Sequence, residues 1–211
     1  MSFTRKHVVI NWSYSLNNSV ISRVEMIVDL GFKFNSSLDP GPHITMICCK
    51  AYKMLGFLKR LAHDFKLGLS LKILFCSLVR PILEYGAVLW NPQTAGHSRQ
   101  LEMVQRKFLS FAGFILNIHH QPHDYVPVSE FLNIDTLSNR RITLGFKFLN
   151  GLISGNIDSP YLLSLINFRV PQRNSRNSAP FYVPSYTSNY LANEPITRIM
   201  SLANADASRL C

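Results

Sequence analysis

The stretch His43-Ile44-Thr45-Met46-Ile47-Cys48-Cys49-Lys50-Ala51-Tyr52-Lys53-Met54-Leu55-Gly56-Phe57-Leu58-Lys59-Arg60 decides the fold class. Stepping about 100° per residue, as an α-helix does, Ile44, Ile47, Ala51, Met54, Leu55 and Leu58 fall on one side. Lys50, Lys53 and Arg60 gather on a different side, with Phe57 among them. A segment so divided buries its apolar stripe in a core and turns its cations to solvent or to a charged partner. Cys48 and Cys49 lie near the apolar side of the wheel and read as core thiols.

Downstream, helical patterning continues. Residues 69–90 are apolar nearly all round, which predicts burial, and Pro81 is expected to kink or end that helix because its ring removes a donor and clashes with the preceding turn. A shorter continuation from Ile82 is closed by Asn91-Pro92. Leu101, Val104, Phe108 and Phe111, spaced by three and four, predict a helix over 98–118. A further helix over 136–153 has Asp135 or Thr136 as N-cap and Gly155 beyond its end. Ser159-Pro160 opens a short helix to Ile166. Upstream, the β-branched run Val8, Val9 and Ile10, a Ser/Asn-rich turn at 15–19, an extended stretch from Val24 to Val28 and the alternating Leu30-Gly31-Phe32-Lys33-Phe34 read as strands and turns. Asp39-Pro40-Gly41-Pro42 is expected to stop regular structure before the helix. Beyond Asn167, Pro171, Arg173, Arg176, Pro180 and Pro184 lie among Asn, Ser, Phe181, Tyr182 and Tyr186, which predicts an extended tail, then a short helix over 196–203. The fold class is therefore α+β, mainly α, with short N-terminal strands, a helical body and an irregular C-terminal tail.

The 211 residues carry 47% hydrophobic and 16% charged side chains, the composition of a folded chain, and a formal charge of +10. Such an excess favours a polyanionic partner, most simply nucleic acid. Charges at Lys72, Arg80 and Glu84 interrupt the longest apolar stretch, 67–90, so no membrane span is expected. The four cysteines have no C-x-x-C spacing and read as reduced thiols of an intracellular protein, nuclear or cytoplasmic alike.

Several chemistries have no motif. Two-metal nucleotidyl transfer needs converging carboxylates, yet no two acidic residues are adjacent in the sequence, and Asp29, Asp39 and Asp64 are scattered. There is no phosphate-binding glycine loop and no nucleophile elbow. In His119-His120-Gln121-Pro122-His123-Asp124, Pro122 prevents a helical pair of ligands, so the cluster reads as a polar loop rather than a metal site. Spacing alone does not separate a phosphate-binding face at Lys50, Lys53, Phe57 and Arg60 from a solvated one. The tail presents the same pair of readings: Arg169, Arg173 and Arg176 with Phe181, Tyr182 and Tyr186 suit single-strand binding by charge and stacking, and equally suit packing across the helical body.

Three blocks carry a resemblance. Val28-Asp29-Leu30-Gly31-Phe32-Lys33-Phe34, with Leu38, His43-Ile44 and Lys50-Ala51, is the first. Leu74-Phe75-Cys76-Ser77-Leu78-Val79-Arg80-Pro81-Ile82-Leu83-Glu84-Tyr85-Gly86, running on to Val88-Leu89-Trp90-Asn91-Pro92, is the second, and Leu101-Glu102-Met103-Val104-Gln105-Arg106-Lys107-Phe108-Leu109 the third. In this order they resemble the region after the catalytic motifs in reverse transcriptases of jockey-type non-LTR retrotransposons. The resemblance implies an end-of-palm segment over 1–42, with Asp29, Leu30 and Gly31 in a primer-gripping turn. It implies thumb-like helices over 43–92, a post-thumb helical region over 93–166 and a basic, aromatic tail over 167–211. Residues 1–5 would correspond to an interior piece of the palm. Lys50, Lys53, Phe57 and Arg60 become contacts to the template–primer duplex, RNA–DNA or DNA. The family's catalytic aspartates have no counterpart among these residues. RNA-directed DNA polymerase activity, with its Mg2+, is thus expected of the parent enzyme, and no catalytic residue, cofactor, metal or small-molecule substrate is expected here. The competing expectation is a degenerate or co-opted helical interaction protein with no nucleic-acid role.

Overall fold

A computed structural model describes residue 3 and residues 12–62, 67–170 and 179–206. The run Val8, Val9 and Ile10, with Asp64, Arg173, Arg176 and Cys211, lies outside the described residues. The described chain is mainly helical, with four short strands near its start.

The strands form two antiparallel hairpins, β1 (Ser15–Leu16) with β2 (Ser19–Val20) and β3 (Met26–Asp29) with β4 (Phe32–Asn35). The Ser/Asn turn is thus itself a small hairpin, closed by Asn17 and Asn18 at φ 49° and 63°. Asparagine tolerates the left-handed conformation that a two-residue hairpin needs. In the second hairpin Asp29 pairs with Phe32, which leaves Leu30 and Gly31 as the turn.

Helix α1 (Gly41–Leu61) starts two residues earlier than the sequence pattern predicts. Pro42 sits in its first turn, where a missing N–H costs nothing, so the Pro-Gly-Pro cluster opens the helix instead of barring it. Ile44, Ile47, Cys48, Ala51, Leu55 and Leu58 are buried, and Met54 is partly buried against the same core. Cys48 is a core thiol as expected; Cys49 is exposed, a correction, because it lies past the edge of the stripe.

Helix α2 (Gly68–Leu74) runs into a π-helical turn, Phe75–Val79, and on into α3 (Arg80–Glu84). Pro81 does not end the helix. The Arg80 N–H reaches back five residues to the Phe75 carbonyl, and this wider turn puts Pro81 in the first turn of α3, where its ring is tolerated. The break comes instead at Tyr85-Gly86, with Gly86 at φ 60°, before α4 (Ala87–Trp90). Nor is this block buried all round: Leu67, Leu69 and Ile73 are more than half exposed.

Helix α5 (Ala95–Ile115) is capped by Thr94, whose hydroxyl accepts from the His97 N–H, and ends before the expected boundary. The histidine cluster is the loop after it, and α6 (Val126–Leu132), which the sequence pattern does not separate, follows. Helix α7 (Leu137–Ile153) has Thr136 as its N-cap, with the hydroxyl accepting from the Asn139 N–H at 3.2 Å. The Glu102 carboxylate also accepts from the Leu137 and Ser138 N–H groups, placing a negative charge at the positive end of α7. Helices α8 (Pro160–Ser164), α9 (Asn189–Ala192) and α10 (Pro195–Ala205) follow among the described residues.

Two apolar cores result. The first gathers the stripe of α1 with Leu71, Phe75, Val79, Leu83, Trp90, Leu101, Val104, Phe108, Val128 and Leu137. The second packs Phe146, Leu149 and Leu152 of α7 against Ile166, Phe181 and the Ile196, Ile199, Met200 and Ala203 side of α10. Of the two readings of the tail, Phe181 follows packing: it is buried, and its backbone is tied to the Asn204 carboxamide.

Candidate nucleic-acid interface

Lys50, Lys53, Phe57 and Arg60 are all exposed or half-exposed on α1, and their spacings of three and four residues set them on one side of the helix. At about 1.5 Å per residue the three cations extend along about 15 Å, the reach of roughly four phosphates on one strand. None of the three forms an ion pair with an acidic group among the described residues. Phe57, 43% exposed, is free to lie against a sugar or base. Two further cations stand where α1 meets α5. The Lys107 ammonium of α5 sits 4.7 Å from the centre of the Tyr52 ring, and Lys59 sits 5.4 Å from that of Phe111. Lys59 escapes a reading of the sequence because its position falls between the core stripe and the basic side; only the docking of α5 shows where it goes.

The Asp29, Leu30, Gly31 turn is built separately. Leu30 and Gly31 have φ 46° and 83°, the signs that a tight hairpin demands. Glycine meets this freely; leucine does so at a cost. Leu30 is 79% exposed, and its carbonyl accepts from the Tyr85 hydroxyl at 3.1 Å. Phe32, just after the turn, stacks on the Tyr85 ring with centroids 5.2 Å apart. It packs so closely over Gly86 that a Cβ there would overlap its ring. The Leu-Gly-Phe block and the Glu-Tyr-Gly block, more than fifty residues apart, thus form one joint.

His43 connects this joint to α1. The Lys33 N–H donates to His43 Nδ1 at 3.2 Å, and the imidazole packs 5.4 Å from both the Phe32 and the Trp90 rings. The Trp90 indole N–H donates to the Tyr85 carbonyl. Burial, and then the charge of Lys50, hold the His43 pKa below its ordinary value, so the ring is neutral. The turn is therefore locked to the first turn of α1, while Arg60 lies about 26 Å further along the helix axis.

The remaining candidates resolve into structural roles. In the histidine loop, His120 Nδ1 lies 2.9 Å from the Gln121 carbonyl and its ring rests against Tyr125. Among the described residues no group of His, Cys, Asp and Glu could hold a metal ion. Burial, followed by the neighbouring Cys49, pushes the Cys48 thiol up to about 11, which leaves it unreactive. Arg140 grips Glu84 through two hydrogen bonds, and Arg141 reaches Asn91 and Ser98, fastening α7 to α3 and α5. Among the described residues no helix is long and apolar enough to cross a membrane. Compared with protein-family models, curated proteins and solved structures, the chain matches none.

Proposed function

We propose that this chain is the duplex-holding part of a jockey-type retrotransposon reverse transcriptase, contacting an RNA–DNA template–primer rather than extending it. The observation that carries this reading is the row Lys50, Lys53, Arg60, without an acidic partner among the described residues, on a helix whose opposite face is core. The row's charges neutralise phosphates and release counterions, which gives salt-dependent, sequence-tolerant affinity. Phe57 lies against the sugar–phosphate edge, and the Asp29, Leu30, Gly31 turn brings backbone near the primer strand. The net charge of +10 supports the same partner. The chemistry of polymerisation, with its carboxylate pair and Mg2+, belongs to the parent enzyme, and an intracellular setting accompanies the reading.

The test is fluorescence anisotropy of a labelled RNA–DNA duplex against salt concentration. Native chain is expected to bind with a steep dependence. Changing Lys50→Glu, Lys53→Glu and Arg60→Glu together is expected to weaken binding and lower the slope of log affinity against log salt by about 3, near one for each phosphate left unneutralised. Unchanged affinity in the triple variant removes the α1 interaction. Absence of binding by the native chain even at low salt favours the helical interaction protein instead.

A further inference from the structure

Every residue from Trp12 to Leu30 is exposed. Ten large apolar side chains in that span are 43–79% accessible, a concentration unlike the singly scattered apolar residues of an ordinary surface. They belong to the β1–β2 and β3–β4 hairpins and the link between them, and a two-stranded hairpin alone is marginal in water. Among the described residues neither hairpin meets a third strand.

The hydrogen bonds fix which backbone groups are left over. The Ile21 N–H donates to the Tyr14 carbonyl, and the Ser36 N–H to the Glu25 carbonyl. Backbone groups of an antiparallel strand alternate between its two edges. With Ser15 opposite Val20 and Met26 opposite Asn35, Ile21, Glu25, Ile27 and Asp29 therefore face their own hairpins. Val20, Met26 and Val28 turn their N–H and C=O outward. The open edge of both hairpins thus lies at even-numbered positions, which a straight run from β2 to β3 puts on one side.

The sequence then selects the occupant. Val20-Ile21-Ser22-Arg23-Val24-Glu25-Met26-Ile27-Val28 complements itself when read in the opposite direction. Centred on Val24, this register sets Val20 opposite Val28, Ile21 opposite Ile27 and Arg23 opposite Glu25, and the outward groups of Val20 meet those of Val28. Sliding one copy by one residue sets outward groups against inward ones. Sliding it by two in either direction centres the contact on Arg23 or on Glu25, where like charges meet.

We infer that two copies of this chain join along this edge, antiparallel about a two-fold axis through Val24. Strand β2 of each copy pairs with β3 of the other, and residues 22–24, outside any strand in the single chain, extend across the axis. Each copy offers the same patch to its partner, so the contact closes on itself and covers an edge that invites indiscriminate pairing. It is independent of the duplex-holding reading.

Sedimentation equilibrium of the full chain over a concentration series tests this. Native chain is expected to approach twice its 24.0 kDa as concentration rises. Val28→Pro removes an outward N–H while sparing the bonds to β4, a place where a strand tolerates proline. With two such bonds lost per dimer, it is expected to weaken association about tenfold or more. Arg23→Glu and Glu25→Arg each set like charges opposite at two symmetry-related places, and each is expected to weaken self-association about tenfold. All three changed side chains are exposed, and the two charge changes keep the test open even if the proline disturbs β3. Mixing equal amounts of the two charge variants restores both opposite-charge pairs between unlike copies, so the mixture is expected to associate about tenfold more tightly than either variant alone. A native chain that stays monomeric at every concentration leaves the edge to another protein or to none, and overturns the inference. So does a dimer indifferent to all three variants, which joins elsewhere, and so do charge variants that mixing fails to restore.

Discussion

At the scale of single residues, Gly86 and His43 hold the molecule's least replaceable positions. Gly86 combines φ 60° with a Cβ site that overlaps the Phe32 ring. Alanine there meets both the left-handed penalty and a clash, so Gly86→Ala is expected to cost about 2–4 kcal/mol in urea unfolding. The clash component is separable. If it is real, combining Gly86→Ala with Phe32→Ala costs less than the sum of the single changes, with a coupling of about 1 kcal/mol or more; strict additivity refutes it. His43 makes an acid-sensitivity prediction. Its pKa is lowered in the fold by burial and then by Lys50, so between that value and its ordinary 6.5 the unfolded chain binds the extra proton. Stability is therefore full above pH 6.5 and declines as pH falls towards the native value. Urea midpoints of native chain and His43→Asn are expected to differ in their pH dependence between pH 7 and 5, the variant falling less. Parallel curves contradict the assignment.

At the scale of elements, the legible parts are those whose own pattern reports their surroundings. The division of α1 into stripe and basic row can be read from spacing because one helix carries both halves of the information. The N-cap of α7 is readable to within Asp135 or Thr136, of which Thr136 takes the role, and Gly155 lies beyond the end of α7 at φ 75°. What cannot be read depends on a second element. Pro81 looks like a helix end because nothing local announces that Phe75–Val79 will take a π turn and absorb it. The joint of Phe32, His43, Tyr85, Gly86 and Trp90 unites residues from separate blocks, and no periodicity links them. Glu84 and Arg140 show the same dependence. Each alone is an ordinary helix charge, yet together they bridge α3 and α7 with the carboxylate 13% exposed. The guanidinium's bonds to Glu84 raise its pKa, the largest influence on it. Removing Glu84 strips Arg140 of its carboxylate, and removing Arg140 leaves the half-buried Glu84 only Arg80 at 3.7 Å, so Glu84→Gln and Arg140→Gln are each expected to cost about 1–3 kcal/mol. The double variant should cost less than their sum, with a coupling near 1 kcal/mol. A coupling of zero would mean that the pair is merely a surface contact.

At the scale of the whole molecule, two features pull in opposite directions. The β3 strand is exposed along its length, with Met26, Ile27 and Val28 each more than two-fifths accessible, and such a strand invites pairing with another chain. The C-terminal segment, whose Pro, Asn and Ser content reads as a tail, instead completes the second core. Phe181 and the Ile196, Ile199, Met200 and Ala203 side of α10 gather there with residues of α7, and that meeting is invisible until both elements are placed. Ile199 packs on the helix at Gly145, where an added Cβ would lie 3.3 Å from it, and the Arg198 guanidinium reaches across to the Val88 carbonyl at 2.7 Å. Burial lowers the Arg198 pKa to about 10, which still leaves it charged at neutral pH. Ending the chain after residue 178 therefore removes the cover from Phe146, Leu149 and Leu152 of α7. At roughly 25 cal/mol per Å² of apolar surface, and about 1.5–3 kcal/mol for each large side chain re-exposed, the penalty rivals the roughly 5–15 kcal/mol of a typical domain. Such a truncation is expected to abolish a sharp thermal transition followed by circular dichroism and to aggregate on heating. If the shorter chain melts cooperatively at the native temperature, α10 is an appendage and the second core does not contribute to the cooperative fold.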